Sequence, residues 1–213
     1  EYNIETAKII KKKNLINFLK PILNKGVKKK ILFSSVVPEV YQKISKFLKT
    51  KKYQVYEIKN LHLKKLIEIK ISKYNQLGSD RIANAIGAYS LYKKNCLIVD
   101  FGTATTFDIV RKPGIYEGGV IAPGVKLSIL NLNRFTASLP VFDLKANQKT
   151  YGKNTKDALN AGFLWGYQGL VNNIVKKIKN SFNCNFKIIL TGGYSKTFSK
   201  FINNNSTIEP NIT

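Results

Sequence analysis

Acidic side chains are scarce in this sequence: 12 Asp and Glu stand against 36 Lys and Arg, a formal net charge of +24 over 213 residues. That balance excludes an acidic solvating chain and invites polyanionic partners. Arginine is rarer still. Only Arg81, Arg111 and Arg134 occur among 33 lysines, whereas surfaces that clamp phosphates or read base edges lean on the bidentate guanidinium fork. The lysines come with abundant Asn and Ile, the trio expected of AT-rich codons, and they run the length of the chain. We therefore read the charge as solvated faces and not as a nucleic-acid surface.

Cysteine is limited to Cys96 and Cys184, each set in an apolar, strand-like run without CxxC or Cys/His spacing. Neither a zinc site nor a disulfide framework is supported, and a reducing compartment fits best. The lone His62 has no metal-type neighbour and is expected in a surface or half-buried structural role. No apolar run reaches the roughly eighteen residues of a membrane span, and no signal-peptide pattern opens the chain. A soluble, cytoplasmic protein is the expectation. Methionine is absent, and Glu1 enters directly into what reads as an amphipathic helix over 1–10. Either the start was processed or the chain is a fragment. At the other end, Thr207–Glu209 reads as leading into a strand beyond the chain.

What is present points to an α/β fold. The pattern predicts a short buried strand at Lys30–Val37, a helix entered at Pro38, a strand at Tyr53–Ile58, and an ambiguous stretch over 61–71. From Gly78 the pattern sharpens. Ser79 and Asp80 are helix N-cap types, and Ile82, Ala85, Ile86, Tyr89 and Leu91 or Tyr92 form an apolar stripe. Cys96–Asp100 and Phe107–Val110 read as a hairpin about Gly102–Thr106, and Ile115–Ile121 as a third strand closed by Pro123 and Gly124. Helices at Val125–Arg134 and Asn154–Asn180, a buried strand at Phe186–Leu190 and a Gly192-Gly193 turn into a closing helix complete the chain.

Three segments carry chemistry. Asp100-Phe-Gly102-Thr103-Ala-Thr105-Thr106 ends a strand in an acid and follows it with glycine and three hydroxyls, the donors suited to a cation and to phosphate oxygens. Gly192-Gly193 after a buried strand lets backbone approach a charged or flat ligand. Gly78-Ser79-Asp80-Arg81 places a general-base carboxylate and an anion-gripping guanidinium at a helix start. Together they are the ingredients of phosphoryl transfer. The run 119–126 superficially suggests a Walker loop, but Lys126 falls one place late and Pro123 removes an amide from the cradle, so we reject it.

In order and spacing, GSDRIANAIGAY (78–89), DFGTATTFD (100–108), YEGGVIAPG (116–124), NTKDALNAG (154–162) and TGG (191–193) resemble the type III pantothenate kinase family, and SSVVPEV (34–40) looks like its early strand. The resemblance implies the actin, sugar kinase and Hsp70 superfold. Its two ribonuclease-H-like domains, 1–93 and 94–213, would flank an active-site cleft, assembled as a homodimer. It implies ATP-dependent phosphorylation of pantothenate, with Asp80 as general base and Gly78, Ser79, Arg81 and Thr155 at the substrate, Thr155 reaching across from the partner subunit. Gly102, Thr103, Thr105 and Thr106 would line the ATP phosphates, Gly192 and Gly193 the adenosine, and Asp100 a monovalent cation, K⁺ or NH₄⁺. The segment GGVIAPG would lie near the dimer interface and substrate pocket. One departure stands out: the family's opening Asp-x-Gly-Asn-Thr motif, which binds phosphate and helps hold Mg²⁺, has no counterpart before Ile31, so a piece lacking it is expected to be impaired. The alternatives are a silent regulatory or nucleic-acid-binding relative and another small-molecule kinase of the same superfold.

Overall fold

The computed structural model describes residues 12–23, 29–146, 149–202 and 206–212; the helix expected over 1–10 lies outside them. The described residues form two compact units. One gathers the chain up to Leu63 together with Lys73–Ala83, the other Lys64–Ser72 and Asn84–Ile212.

The first unit contains helix α1 (Lys12–Leu23), strand β1 (Lys30–Phe33), helix α2 (Pro38–Thr50), strand β2 (Gln54–Glu57) and the opening turn of helix α3 (Ser79–Tyr92). Pro38 occupies the first turn of α2, where no amide partner is required, and Glu39 and Lys49 sit at the ends that the helix dipole favours. Its apolar stripe buries Ile44 and Leu48 against Leu15 and Leu19 of α1. Beneath them β1 and β2 pair in parallel, Lys30 opposite Gln54 and Phe33 opposite Glu57. This corrects the buried strand expected at Lys30–Val37. The strand is four residues long and covered on one face only: Ile31 and Phe33 pack on the helices, while Leu32 is 59% exposed.

The second unit holds β3 (Glu68–Ile69), the rest of α3, β4 (Cys96–Phe101), β5 (Ala104–Arg111), β6 (Ile115–Pro123), α4 (Val125–Arg134), α5 (Thr155–Phe182), β7 (Lys187–Gly192), α6 (Ser195–Ser199) and β8 (Ser206–Ile208). Among the described residues its strands form one sheet in the order β3-β6-β5-β4-β7-β8. Strand β5 runs antiparallel to β4 and β6, whereas β4, β7 and β8 are mutually parallel. A parallel pairing of β4 with β7 needs a long return path, which includes α4 and α5.

Strand alternation sorts the two sheet faces. Leu97, Val99, Phe101, Phe107, Ile109, Ile188 and Leu190 pack on Val125 and Ile129 of α4 and on Leu164, Val171, Val175 and Ile178 of α5. On the opposite face the Cys96 thiol points to the Ala88 carbonyl of α3 at 3.9 Å, and burial pushes its pKa up to about 11. Cys184 is not in a strand. It follows Asn183, the left-handed C-cap of α5 (φ 46°), and is half-buried in the turn before β7. The segment 119–123 belongs to β6, in keeping with the rejected Walker loop. No helix of the described residues is long and apolar enough to cross a membrane.

Near the end of the described residues, Ser206–Ile208 form β8 at one edge of the sheet. Glu209 N–H donates to the Leu190 carbonyl at 2.9 Å, just past β8. The Tyr92 hydroxyl donates to the Glu209 carboxylate, and this bond, helped by burial, pushes the phenol to about 12. Leu91 is exposed, so Tyr92 is the residue that ends the buried stripe of α3. Gly87 lets the tail close on the helix, because a Cβ there would overlap the Ile212 carbonyl oxygen.

Within a helix, Gly→Ala ordinarily stabilises by up to about 1 kcal/mol. Gly87→Ala is expected to do the reverse, losing about 1–3 kcal/mol to steric overlap, while Gly169→Ala, whose Cβ meets nothing within 4 Å, should gain that propensity term. Urea unfolding of the two variants checks the opposite signs.

Candidate active site

Strand β4 is buried through Val99 and emerges at Asp100, which is half-buried. A two-residue turn, Gly102-Thr103, leads into β5 and is tied by Gly102 N–H donating to the Ala104 carbonyl at 3.1 Å. In the sheet Asp100 stands opposite Thr106 on one side and Thr191 on the other. Three polar side chains therefore form one rung at the carboxyl ends of the parallel strands β4 and β7, the edge where open α/β sheets receive ligands.

Glycine is required beside this rung. Gly192 adopts φ +82°, and a Cβ there would lie 2.6 Å from Asp100 Oδ1; a Cβ on Gly102 would lie 3.6 Å from the same oxygen. Gly193 N–H donates to the Phe101 carbonyl at 3.1 Å, holding the TGG turn against β4. The other carboxylate oxygen, Oδ2, accepts from Asn84 Nδ2 at 3.0 Å, and Asn84 is fully buried. Gly124, the N-cap of α4, packs so closely on the turn that a Cβ would overlap the Thr103 carbonyl oxygen. The rung thus combines a fixed carboxylate, glycine turns and hydroxyls, a set suited to a cation and to phosphate oxygens.

The three threonines of the hairpin do not act together. Thr103 is exposed in the turn, and Thr106 shares the face of Asp100, its hydroxyl donating to Asp108 Oδ2 at 3.3 Å. Asp108 is fully buried and also accepts from the Tyr116 hydroxyl at 2.7 Å. Thr105 points the other way. It stands opposite Phe101 and Ala122 in the α4/α5 core, fully buried, with no partner for its hydroxyl. A contact from Thr105 to phosphate would have to come from its main chain.

The Gly78–Arg81 segment belongs to the first unit, where it opens α3. Ser79 is buried and its hydroxyl donates to the Ser35 carbonyl at 2.6 Å, so it ties the helix start to the chain beyond β1. Asp80 folds back: its Oδ1 accepts from Arg81 N–H at 2.8 Å and fills the space that a Cβ on Gly78 would need. Asp80 and Arg81 are both half-buried.

Thr155 begins α5 behind the N-cap Asn154, whose Oδ1 accepts from Asp157 N–H at 2.9 Å. It is exposed and lines an apolar groove of about 570 Å³ with Pro123, Gly162, Gly166 and Tyr167. The Tyr167 hydroxyl bonds to Ser128 Oγ at 2.7 Å and donates to the Pro123 carbonyl at 3.2 Å.

Sequence reasoning missed Asn84, the Asp108–Tyr116 pair and this groove. A signal existed for each: an amide inside the apolar stripe of α3, an acid inside an apolar strand, and small residues four apart at Ala158, Gly162 and Gly166. Among the described residues no three His, Cys, Asp or Glu gather. At the turn end of the hairpin Asp100 is the half-buried carboxylate, Asp108 being fully buried behind Thr106, and the hydroxyls and main-chain oxygens nearby make a donor set that fits a monovalent cation; a divalent ion held largely by phosphates needs only one or two carboxylates.

Residues 1–177 match the family model described as type III pantothenate kinase. The chain is 47% identical over 191 residues to the type III pantothenate kinase of Pelagibacter ubique, covering 89% of this chain and 75% of that one. It is 37% identical over 174 residues to the enzyme of the same name from Sulfurihydrogenibium, covering 82% and 69%. Among solved structures, a protein described as a conserved Baf family transcriptional activator from Campylobacter jejuni superposes with a TM-score of 0.57 at 20% identity, over 92% of this chain and 82% of that one. At that identity the likeness is one of fold.

Two outcomes follow from the geometry. Thr105→Val removes a partnerless buried hydroxyl at constant shape and should leave stability within about 1 kcal/mol or raise it, which thermal unfolding checks. Gly78→Ala should swing the Asp80 carboxylate off its seat, breaking its bond from Arg81 N–H in a crystal structure of the variant, while circular dichroism stays native.

Proposed function

The chain belongs to the type III pantothenate kinase family, and we propose that its hairpin rung and its Gly78–Arg81 segment supply the two halves of that reaction. The reaction is the ATP-dependent phosphorylation of pantothenate to 4′-phosphopantothenate, the first step of coenzyme A biosynthesis. The observation that carries the assignment of roles is the Thr106–Asp100–Thr191 rung flanked by the Gly102-Thr103 and Gly192-Gly193 turns.

In this proposal Asp80 accepts the proton of the pantothenate hydroxyl as that oxygen forms its bond to the γ-phosphorus and the bond to ADP breaks. Its carboxylate is already oriented by Arg81 N–H, which supports a role as positioned base. Arg81 grips the pantothenate carboxylate. Gly78 and Ser79 shape the substrate's seat, Gly78 by leaving room for Asp80 and Ser79 by anchoring the helix to Ser35. The ATP phosphates lie along Gly102, Thr103 and Thr106, with Thr105 contributing main chain, and the adenosine lies over Gly192 and Gly193. Asp100 holds K⁺ or NH₄⁺, whose charge offsets that of the phosphates when bound; Mg²⁺ enters with ATP. Phosphoryl transfer asks for alignment and charge neutralisation more than covalent chemistry, and these parts would supply that share of it; the phosphate and Mg²⁺ contacts of the family's Asp-x-Gly-Asn-Thr motif, which has no counterpart before Ile31, come in addition.

We assign the chain to the actin-like, ribonuclease-H-like superfold, with domains over 1–93 and 94–213 and the substrates in their cleft. The mixed sheet of the second unit supports the superfold, although the compact units divide within α3, after Ala83. A homodimer is the proposed assembly, supported by the apolar groove in which Thr155 stands beside Gly162 and Gly166. The cytoplasm is the proposed location.

In an otherwise complete enzyme carrying the family's Asp-x-Gly-Asn-Thr motif, Asp80→Asn should lower kcat by about 10²–10⁴-fold while the melting temperature and nucleotide affinity hold. Pantothenate-dependent ADP formation, measured with and without K⁺, checks this. Undiminished turnover in Asp80→Asn would sink the base assignment; turnover on another alcohol alone would move the substrate assignment, and a salt-sensitive DNA complex without turnover would favour a regulatory relative.

A further inference from the structure

Asp100 is held from a different element than its own. Its Oδ2 accepts from the side-chain amide of Asn84 on α3 at 3.0 Å, and Asn84 is 0% exposed. Its Oδ1 is turned toward the glycine turns, and a Cβ on Gly192 would lie only 2.6 Å from it. An aspartate at a strand end has several staggered χ1 wells open to it, and only some aim an oxygen over the glycine turns. A buried amide donor across the sheet face selects among them. It does so with a neutral group, which adds no charge of its own beside the carboxylate.

We propose that Asn84 is a positioning residue for the monovalent cation: by binding Oδ2 it holds Asp100 in the rotamer that presents Oδ1 to the ion. The proposal rests on the assignment of Asp100 as cation ligand. The chemistry is general, since a ligand carboxylate is usually fixed by a hydrogen bond from a group that never touches the metal, and losing that group commonly costs about 10–100-fold in metal affinity. Asn84 also explains a local oddity of the sequence. The stripe of α3 buries Ala83, Ala85 and Ala88, and an amide among them carries a desolvation cost unless it is bonded.

The test compares wild type, Asn84→Ala and Asp100→Asn in KCl titrations at constant ionic strength, balanced with choline chloride. Two readouts are taken: the rise in melting temperature with K⁺, and the K⁺ dependence of turnover. For Asn84→Ala the half-saturating K⁺ should rise about tenfold or more in both, while kcat at saturating K⁺ and the KM for pantothenate stay near wild type. Asp100→Asn should lose the K⁺ response. A merely structural Asn84 gives a different pattern, a lower melting temperature without K⁺ but an unchanged half-saturation point, and that result overturns the proposal while leaving Asp100 in place. An unchanged K⁺ response in Asp100→Asn removes the cation assignment and this proposal with it. If Asn84→Ala does not fold, Asn84→Ser, too short to reach Oδ2 but able to satisfy a buried site, is read by the same criteria.

Discussion

The parallel pairing of β4 with β7 is the constraint on which the site in the second unit depends. It aligns the carboxyl ends of two strands far apart in sequence, so that Asp100 meets Thr191 and Phe101 meets Gly192. A slip of one residue would turn the whole β7 side-chain set to the other face. That slip is opposed by Ile188 and Leu190, which pack with Leu97, Val99 and the α5 residues Leu164 and Val171 in one core. Burial on the α4 and α5 side thus sets the geometry of the polar rung on the face that α3 covers.

Three glycines shape the candidate site, each for a steric reason. Gly192 has the positive φ that side chains resist and no room for a Cβ beside Asp100, Gly124 admits the carbonyl of Thr103, and Gly78 leaves room for the Asp80 carboxylate at the start of α3. The polar groups around the rung are tied in turn to a fully buried layer. Thr106 leans on Asp108, Asp108 on Tyr116, and Asp100 on Asn84. Bonds of this kind are strong in a low-dielectric interior and costly to leave unmade, so they hold side chains in fixed orientations where a surface residue would rotate.

Much of this was legible in advance. The helix at Val125–Arg134 and the hairpin about Gly102 follow from periodicity and turn residues, and five co-ordered motifs carried the family. The misses have physical causes. Lys30–Val37 reads as a buried strand because apolar runs look alike whether one face is covered or two, and only the two-stranded pairing with β2 leaves Leu32 exposed. Cys184 reads with the apolar residues that follow, yet it stands between Asn183 and Asn185, and the left-handed turn at Asn183 ends the helix before the strand begins at Lys187. Thr103, Thr105 and Thr106 are equivalent as a string; which hydroxyl faces Asp100 depends on where the two-residue turn ends and strand alternation begins.

By itself, then, the sequence determined the class of fold, the family and the segments that bear the chemistry, because these rest on residue type, local spacing and order along the chain. The tertiary structure decided which atoms of those segments share a space. Asn84 became a partner of Asp100, and Ser79 an anchor to Ser35, through contacts 16 and 44 residues apart. Thr105 was turned into the core. Pairings over such distances are selected by burial and register across the sheet, and no local pattern encodes them.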